Sequence, residues 1–347
     1  MELSERKKQI LKAIIGDYIR TAEPVGSKSI AQRPELTFSS ATIRNEMSEL
    51  EELGFLEKPH TSAGRIPSPA GYRLYVDELM ETSDAVDSAD DAALHQMMRL
   101  KVRELDQLVH EAGKLIANLT DYAAVAATPA MQRAVLKQFE IVPVDTQTFV
   151  LVAVPEAGAV KSKMARTATP VTRDEAELLT YVLNQTLTGI PLSAITAERF
   201  DIVRRAAGLT ALLAPVAEYL AEIIEEMSRQ EVFLEGGSKL LKYPEYHDTH
   251  KAQALLDYLG DTPGKLIPLR KIDGVQILIG PENGENPLSD ASVIYAKYDI
   301  GDIGQGIIGI VGPTRMDYAN LSARLSRFAK GLNRLIADTF LDDGNHK

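Results

Sequence analysis

Along the first eighty residues the apolar side chains recur in the rhythm of short helices rather than in long runs. Ile10, Leu11, Ile14, Ile15, Tyr18 and Ile19 form two adjacent i, i+4 rows, which predicts an amphipathic helix over Ser4–Arg20. Ala22-Glu23-Pro24-Val25-Gly26 halts it, and Ser27 suits the cap of a short second helix, Ser27–Gln32, ended by Pro34. Ser40 is the expected cap of a third helix, which turns Ile43, Met47 and Leu50 inward at 4,3 spacing and stops at Gly54. Phe55-Leu56-Glu57-Lys58 then reads as a short strand, and Gly64-Arg65-Ile66-Pro67 as turn chemistry leading into a returning strand. Three helices followed by a two-stranded ribbon with a basic tip is the winged helix-turn-helix layout.

The pattern beyond residue 80 alternates between the two periods. Residues 82–91 are small and acidic with no apolar rhythm, as in a linker. From Asp91 a long helix is predicted, with Met98, Val102, Leu105, Val109, Ala112, Ile116 and Leu119 in 4,3 alternation, widened by Leu108 and Leu115 towards core packing. Leu136–Val142, Phe149–Val154 and Val160–Ala168 read as an antiparallel meander. Helical patterns follow at Arg173–Leu187 and through Leu213, Val216, Leu220, Ile223 and Met227, with Pro215 in the first turn of the second. After Glu235-Gly236-Gly237 come a helix at Thr249–Leu259 and strands near Gly274–Ile279, Ala291–Tyr298 and Ile303–Val311. A last helix carries Tyr318, Leu321, Leu325, Phe328, Leu332 and Leu335. The sum is an α+β protein of two or three domains, as 347 residues imply.

Composition narrows the chemistry. The chain has no cysteine, which excludes disulfides, thiolate metal sites and cysteine nucleophiles. The amphipathic N-terminus lacks the apolar core of a signal peptide, and no long apolar stretch is free of charge, so a cytoplasmic protein without a membrane span is expected. The net charge of −11 is awkward for a protein that binds phosphates, but it is uneven. Residues 1–80 hold 11 Lys/Arg against 12 Asp/Glu, leaving −10 on the remainder. Any DNA contact must therefore come from a local arrangement of Arg6, Lys7, Lys8, Lys28, Arg44, Lys58 and Arg65.

The third helix has the side chains for such a contact. With its buried row at zero on a helical wheel, Ala41, Asn45 and Ser48 lie opposite, and Thr42 and Arg44 flank them. Arginine can fork to guanine and asparagine can pair bidentately with adenine. Glu46, Glu49, Glu51 and Glu52 crowd the later turns and would repel phosphate, restricting groove entry to the first two turns. In the wing, His60 and Arg65 could reach a phosphate or the minor groove. The plainer alternative is that Arg44 and Asn45 are solvated helix residues and His60 a hydrogen-bonded loop residue.

Enzyme readings are weaker. Gly304-Gln305-Gly306-Ile307-Ile308-Gly309 spells GxGxxG, but a β-prone run follows it where a nucleotide site needs a helix, and no acidic residue lies between Asp317 and Asp338. Glycines at a tight strand crossing fit better. His247 and His250 lack a third ligand nearby, and no serine–histidine–acid set can be assembled. No catalytic, cofactor or metal residues are expected.

The stretch ATIRNEMSELEELGFLEKPHTSAGRIPSPAGYRLYVD resembles the signature of the HrcA family of heat-inducible transcription repressors, densely over Ser4–Leu79 and more loosely around Asp302–Pro313. The resemblance implies a homodimer in which a winged helix (1–80) precedes a discontinuous GAF-like α/β domain (88–132 and 232–347) interrupted by a dimerising domain (133–231). It also implies an inverted-repeat operator, the CIRCE element, upstream of chaperone genes, and a chaperonin partner that keeps the repressor competent. On that basis the DNA-binding set is expected to be Ser39, Ser40, Thr42, Arg44, Asn45 and Ser48 of the helix with Lys58, His60, Thr61, Ser62 and Arg65 of the wing. Two other readings stay open: a regulator gated by a small effector in the second domain, and an enzyme or scaffold using the winged helix for protein contact. The stripe Val216/Leu220/Ile223 is expected to be exposed and available to a chaperonin.

Overall fold

The computed structural model describes residues 3–60, 63–81, 92, 105–128, 135–156, 160–208, 210–228, 231–261, 274–284, 287–299 and 304–337. The first block is a winged head. Helices α1 (Glu5–Thr21), α2 (Ser27–Ile30) and α3 (Ser40–Glu52) pack around Ile10, Leu11, Ile14, Ile15, Ile30, Ile43, Met47 and Leu50, all buried. Ser4 caps α1 by accepting from Lys7 N, and Ala22 leaves it in the left-handed region at φ 57°. Gly54 ends α3 at φ 81°, a conformation that costs glycine least. Two expected caps sit one residue early. Ser39, not Ser40, caps α3, accepting from Thr42 N at 3.1 Å, while Gly26 rather than Ser27 precedes α2. The hydroxyls of Ser27 and Ser40 are 3.2 Å apart and so join the two helices instead. Helix α2 is also shorter than expected, ending at Ile30.

Strands β1 (Leu56–Glu57) and β2 (Ile66–Pro67) form the antiparallel ribbon, and Val25 bridges to Arg65 as a third rung. Close backbone approach explains two glycines here: a Cβ on Gly64 would lie 2.4 Å from the Val25 oxygen, and one on Gly71 2.2 Å from the Phe55 oxygen. Helix α4 (Pro69–Leu74), capped by Ser68, runs into a single π-helical turn, Tyr75–Leu79. The linker at 82–91 and the stretch with Met98 and Val102 lie outside the described residues.

The body is one antiparallel sheet interrupted by an inserted block. Helix α5 (Leu105–Thr120) and strand β3 (Ala123–Ala127) come first. The inserted block then folds on itself as the meander β4 (Leu136–Pro143), β5 (Thr148–Pro155) and β6 (Lys161–Arg166) with helices α6 (Arg173–Leu187), α7 (Ala197–Ala207) and α8 (Leu213–Ser228). Asn184 of α6 clamps the meander, its amide accepting from Phe139 N at 2.9 Å and donating to Phe139 O at 2.7 Å. Pro215 lies in the first turn of α8. Val216, Leu220 and Ile223 are buried in the block's core, so the expected exposed stripe is not a surface: α8 turns that row towards the meander while Glu222 and Glu226 face out to Lys163 and Lys161.

The chain then returns with β7 (Val232–Glu235), α9 (Thr249–Asp261), β8 (Val275–Ile279), β9 (Ala291–Asp299), β10 (Gln305–Pro313) and α10 (Tyr318–Ile336). The strand order is β7-β3-β10-β9-β8. Period-2 alternation sends Ala124, Ala126, Ile294, Ala296, Ile308 and Ile310 to the core they share with α5 and α10. Val125, Val293, Tyr295, Ile307 and Val311 join a second core under α9. The GxGxxG stretch falls in and just before β10. A Cβ on Gly306 would meet the Tyr298 ring at 2.1 Å on the neighbouring strand, so this glycine serves a strand crossing, as its setting in the sequence suggests.

Head and body share a junction. The rings of Tyr72 and Tyr318 meet edge to face at 5.8 Å. Arg73 forks to Glu282 and donates to the Ile277 carbonyl at 2.6 Å. Arg315 pairs with Glu245 at 2.5 Å and donates to the Ile19 carbonyl at 3.2 Å.

Candidate nucleic-acid interface

Helix α3 and the wing enclose a cleft of about 420 Å³ lined by Gly26, Ser27, Lys28, Arg44, Met47, Lys58, Ala63, Gly64 and Arg65. The buried row of α3 fixes its orientation. Ile43, Met47 and Leu50 hold it to α1, which leaves Ala41, Arg44 and Asn45 exposed and Ser40, Thr42 and Ser48 half-buried. Ser39 is exposed and occupied as the cap, with its hydroxyl 2.9 Å from that of Thr42. Ser48 donates to the Arg44 carbonyl at 3.2 Å. Lys58 and His60 are exposed at the wing, and the His60 carbonyl accepts from Ala63 N at 3.0 Å. Thr61 and Ser62 lie outside the described residues.

The charges sort more sharply than the sequence suggested. Arg6 and Lys7 pair with Glu46 at 2.5 and 2.9 Å, and Lys7 also pairs with Glu49 at 2.7 Å. Lys8 pairs with Glu78 at 2.9 Å, Lys12 with Glu81 at 2.5 Å, Arg33 and Arg20 with Asp17, and Arg73 with Asp77 and Glu282. Arg65 is held against Glu51 at 2.6 Å with its side chain 16% exposed. Among the described residues, the head's only Lys and Arg side chains without an ion pair are Lys28, Arg44 and Lys58, and all three line the one cleft. A head with a net charge of only −1 thus carries a local concentration of positive charge. That is what phosphate recognition needs from an acidic protein.

The same pairing corrects the expected repulsion along α3. Glu46 is not a surface carboxylate but a buried one, 4% exposed, beneath the helix. Burial alone would push its pKa up. Hydrogen bonds and charge from Lys7 and Arg6 outweigh that and hold it below the ordinary 4.5. The hydrogen bonds that the Lys7 ammonium donates to Glu49 and Glu46 in turn raise its own pKa. These pairs leave no trace in the periodicity, because the partners lie on different helices and the apolar rows say nothing of which polar residue faces inward.

Three helices, a wing and an electropositive cleft between them define a winged-helix DNA-binding protein. The model described as the winged helix-turn-helix transcription repressor, HrcA DNA-binding, matches residues 2–78, and that of the HrcA protein C terminal domain matches residues 106–321. The chain belongs to the HrcA family of heat-inducible transcription repressors. It is 38% identical to the heat-inducible transcription repressor HrcA of Ruminiclostridium cellulolyticum over 99% of this chain and 100% of that protein. It is 37% identical to the repressor of the same name from Acetivibrio thermocellus over 97% of this chain and 98% of the relative. A crystal structure described as a hypothetical protein at 2.2 Å resolution shares the fold, with a TM-score of 0.64 over 97% of this chain and 100% of its own, at 22% identity. Among the described residues, no helix is long and apolar enough to cross a membrane.

Proposed function

We propose that the chain acts as a homodimer whose two heads grip an inverted-repeat operator, the CIRCE element, and so repress chaperone genes. Two-fold symmetry in the protein calls for a palindrome in the DNA. The observation that carries the reading is the convergence of Lys28, Arg44 and Lys58 on the cleft between α3 and the wing. In this reading Arg44 and Asn45 read base edges, with Ser40, Thr42 and Ser48 close to the groove wall and Ser39 at the helix end near phosphate. Lys58, His60, Thr61 and Ser62 follow the backbone, and Arg65 joins them by exchanging Glu51 for a phosphate. The body from 88–132 and 232–347 is taken as the GAF-like domain, and the inserted block 133–231 as the dimerising one. Release on heating would follow when unfolded clients occupy the chaperonin that otherwise maintains the repressor.

The test is a mobility-shift titration of the full chain on its operator. Arg44→Ala should lose about 1–3 kcal/mol of operator affinity and relax preference at one base pair per half-site. Lys58→Ala should weaken all sequences alike and flatten the salt slope by about one phosphate contact per head. An Arg44→Ala variant with unchanged affinity and preference would remove α3 from base reading.

A further inference from the structure

A second cavity, of about 440 Å³, lies on the other side of the wing, between its base and the body. Ile66, Pro67 and Pro69 of the head form one wall, and Leu255 of α9 with Tyr246 forms the other. Walls that set Ile66, the prolines and Leu255 beside charged and hydroxyl side chains suit a small organic molecule with an apolar body and a polar end.

The charges around the cavity select the kind of molecule. Asp290 is answered by Lys251 at 2.7 Å, and Glu245 by Arg315 at 2.5 Å. Glu57, which the wing contributes to the lining, has no ion pair among the described residues. The cavity therefore has one uncompensated negative charge, favouring a cation and opposing an anion. Tyr246, only 5% exposed, is fixed in the body's second core and holds that wall in place.

We propose that this cavity binds a small organic cation, with an apolar, flat body lying between the prolines of the wing and Leu255 and an amine facing Glu57. Because one wall belongs to the wing and the other to the body, the bound molecule would tie the two together behind the DNA-facing cleft. The site does not rest on the operator reading, since it is measured on the DNA-free chain.

The experiment titrates the full chain with phenethylamine by calorimetry, with phenylacetate as the anionic counterpart of like size. Saturable one-site binding of the amine in the millimolar range or tighter is expected, as befits a ligand of this size. The acid should bind at least about five-fold more weakly. Ala254→Phe, placed at an exposed position of the lining, should abolish amine binding without shifting the unfolding temperature. Glu57→Lys should reverse the preference between the two probes, and it decides the question if the phenylalanine variant fails to fold. Absence of saturable amine binding, equal binding of both probes, or an unchanged preference in Glu57→Lys would overturn the proposal.

Discussion

Replacing Glu46 by glutamine removes a charge from beneath the recognition helix and keeps the shape of the side chain. In the native head this carboxylate is buried and lies 2.5 Å from Arg6 Nη2 and 2.9 Å from Lys7 Nζ. Two unit charges about 4 Å apart attract by about 4 kcal/mol at an effective dielectric of about 20. Taking the carboxylate out of water returns several kcal/mol of that. The half-exposed Arg6 is screened further and adds little. The net loss should be about 1–2 kcal/mol, felt where α1 meets α3.

The pH dependence has a definite sign. The folded pKa of Glu46 is held below 4.5, so its contribution is fully present above the unfolded value and is lost as pH falls through the folded one. Hydrogen exchange of the α1 and α3 amides in the full chain reads this without requiring the three blocks to unfold together. At pH 7 the variant should exchange about five- to thirty-fold faster in these helices. The ratio should shrink towards one as pH falls below about 4.5. Exchange within two-fold of the wild type at pH 7, or an acceleration that persists undiminished in acid, would refute the account of Glu46 as a buried ion-pair anchor.

Two further substitutions probe the packing. Gly71→Ala sets a Cβ 2.2 Å from the Phe55 oxygen, a backbone atom that cannot swing aside, so the head should lose at least about 2 kcal/mol, checked by its own thermal transition. Asn184→Ala strips both partners from the Phe139 peptide and should cost the inserted block about 2 kcal/mol in urea titration. A change below about 0.5 kcal/mol would mean that water replaces the amide without penalty.

Periodicity made the elements with long apolar rows readable. The rows of α1, α3, α6 and α10, and the alternation of β4 to β6, appear at nearly their observed places because burial of one face is what sets them. Strand β3 escaped, since Ala123-Ala124-Val125-Ala126-Ala127 has no bulky alternation and alanine favours helices. Its small residues answer a tertiary demand: Ala126 lies close to where a Cβ on Gly113 of α5 would stand, 3.3 Å away. The four-residue β7 and the helix α7 went unread for want of a strong pattern. In the head, Arg44, Lys28 and Lys58 were recognisable as cations. Their freedom was not, because it depends on where Glu46, Glu49, Glu51 and Glu78 find their own partners in space.

The interruption of the body sheet has a consequence for how the protein is born. Strand β3 is the first of the sheet's five strands to be made, yet it pairs with β10, which is made only at residues 305–313, and with β7, which follows the inserted block. During synthesis the meander and its helices can finish while α5 and β3 still wait with their apolar faces uncovered. Long-range pairing of this kind forms slowly and leaves sticky surface available meanwhile. The body sheet therefore cannot close before residues 305–313 have been made, and the apolar faces of α5 and β3 wait until then for their partners.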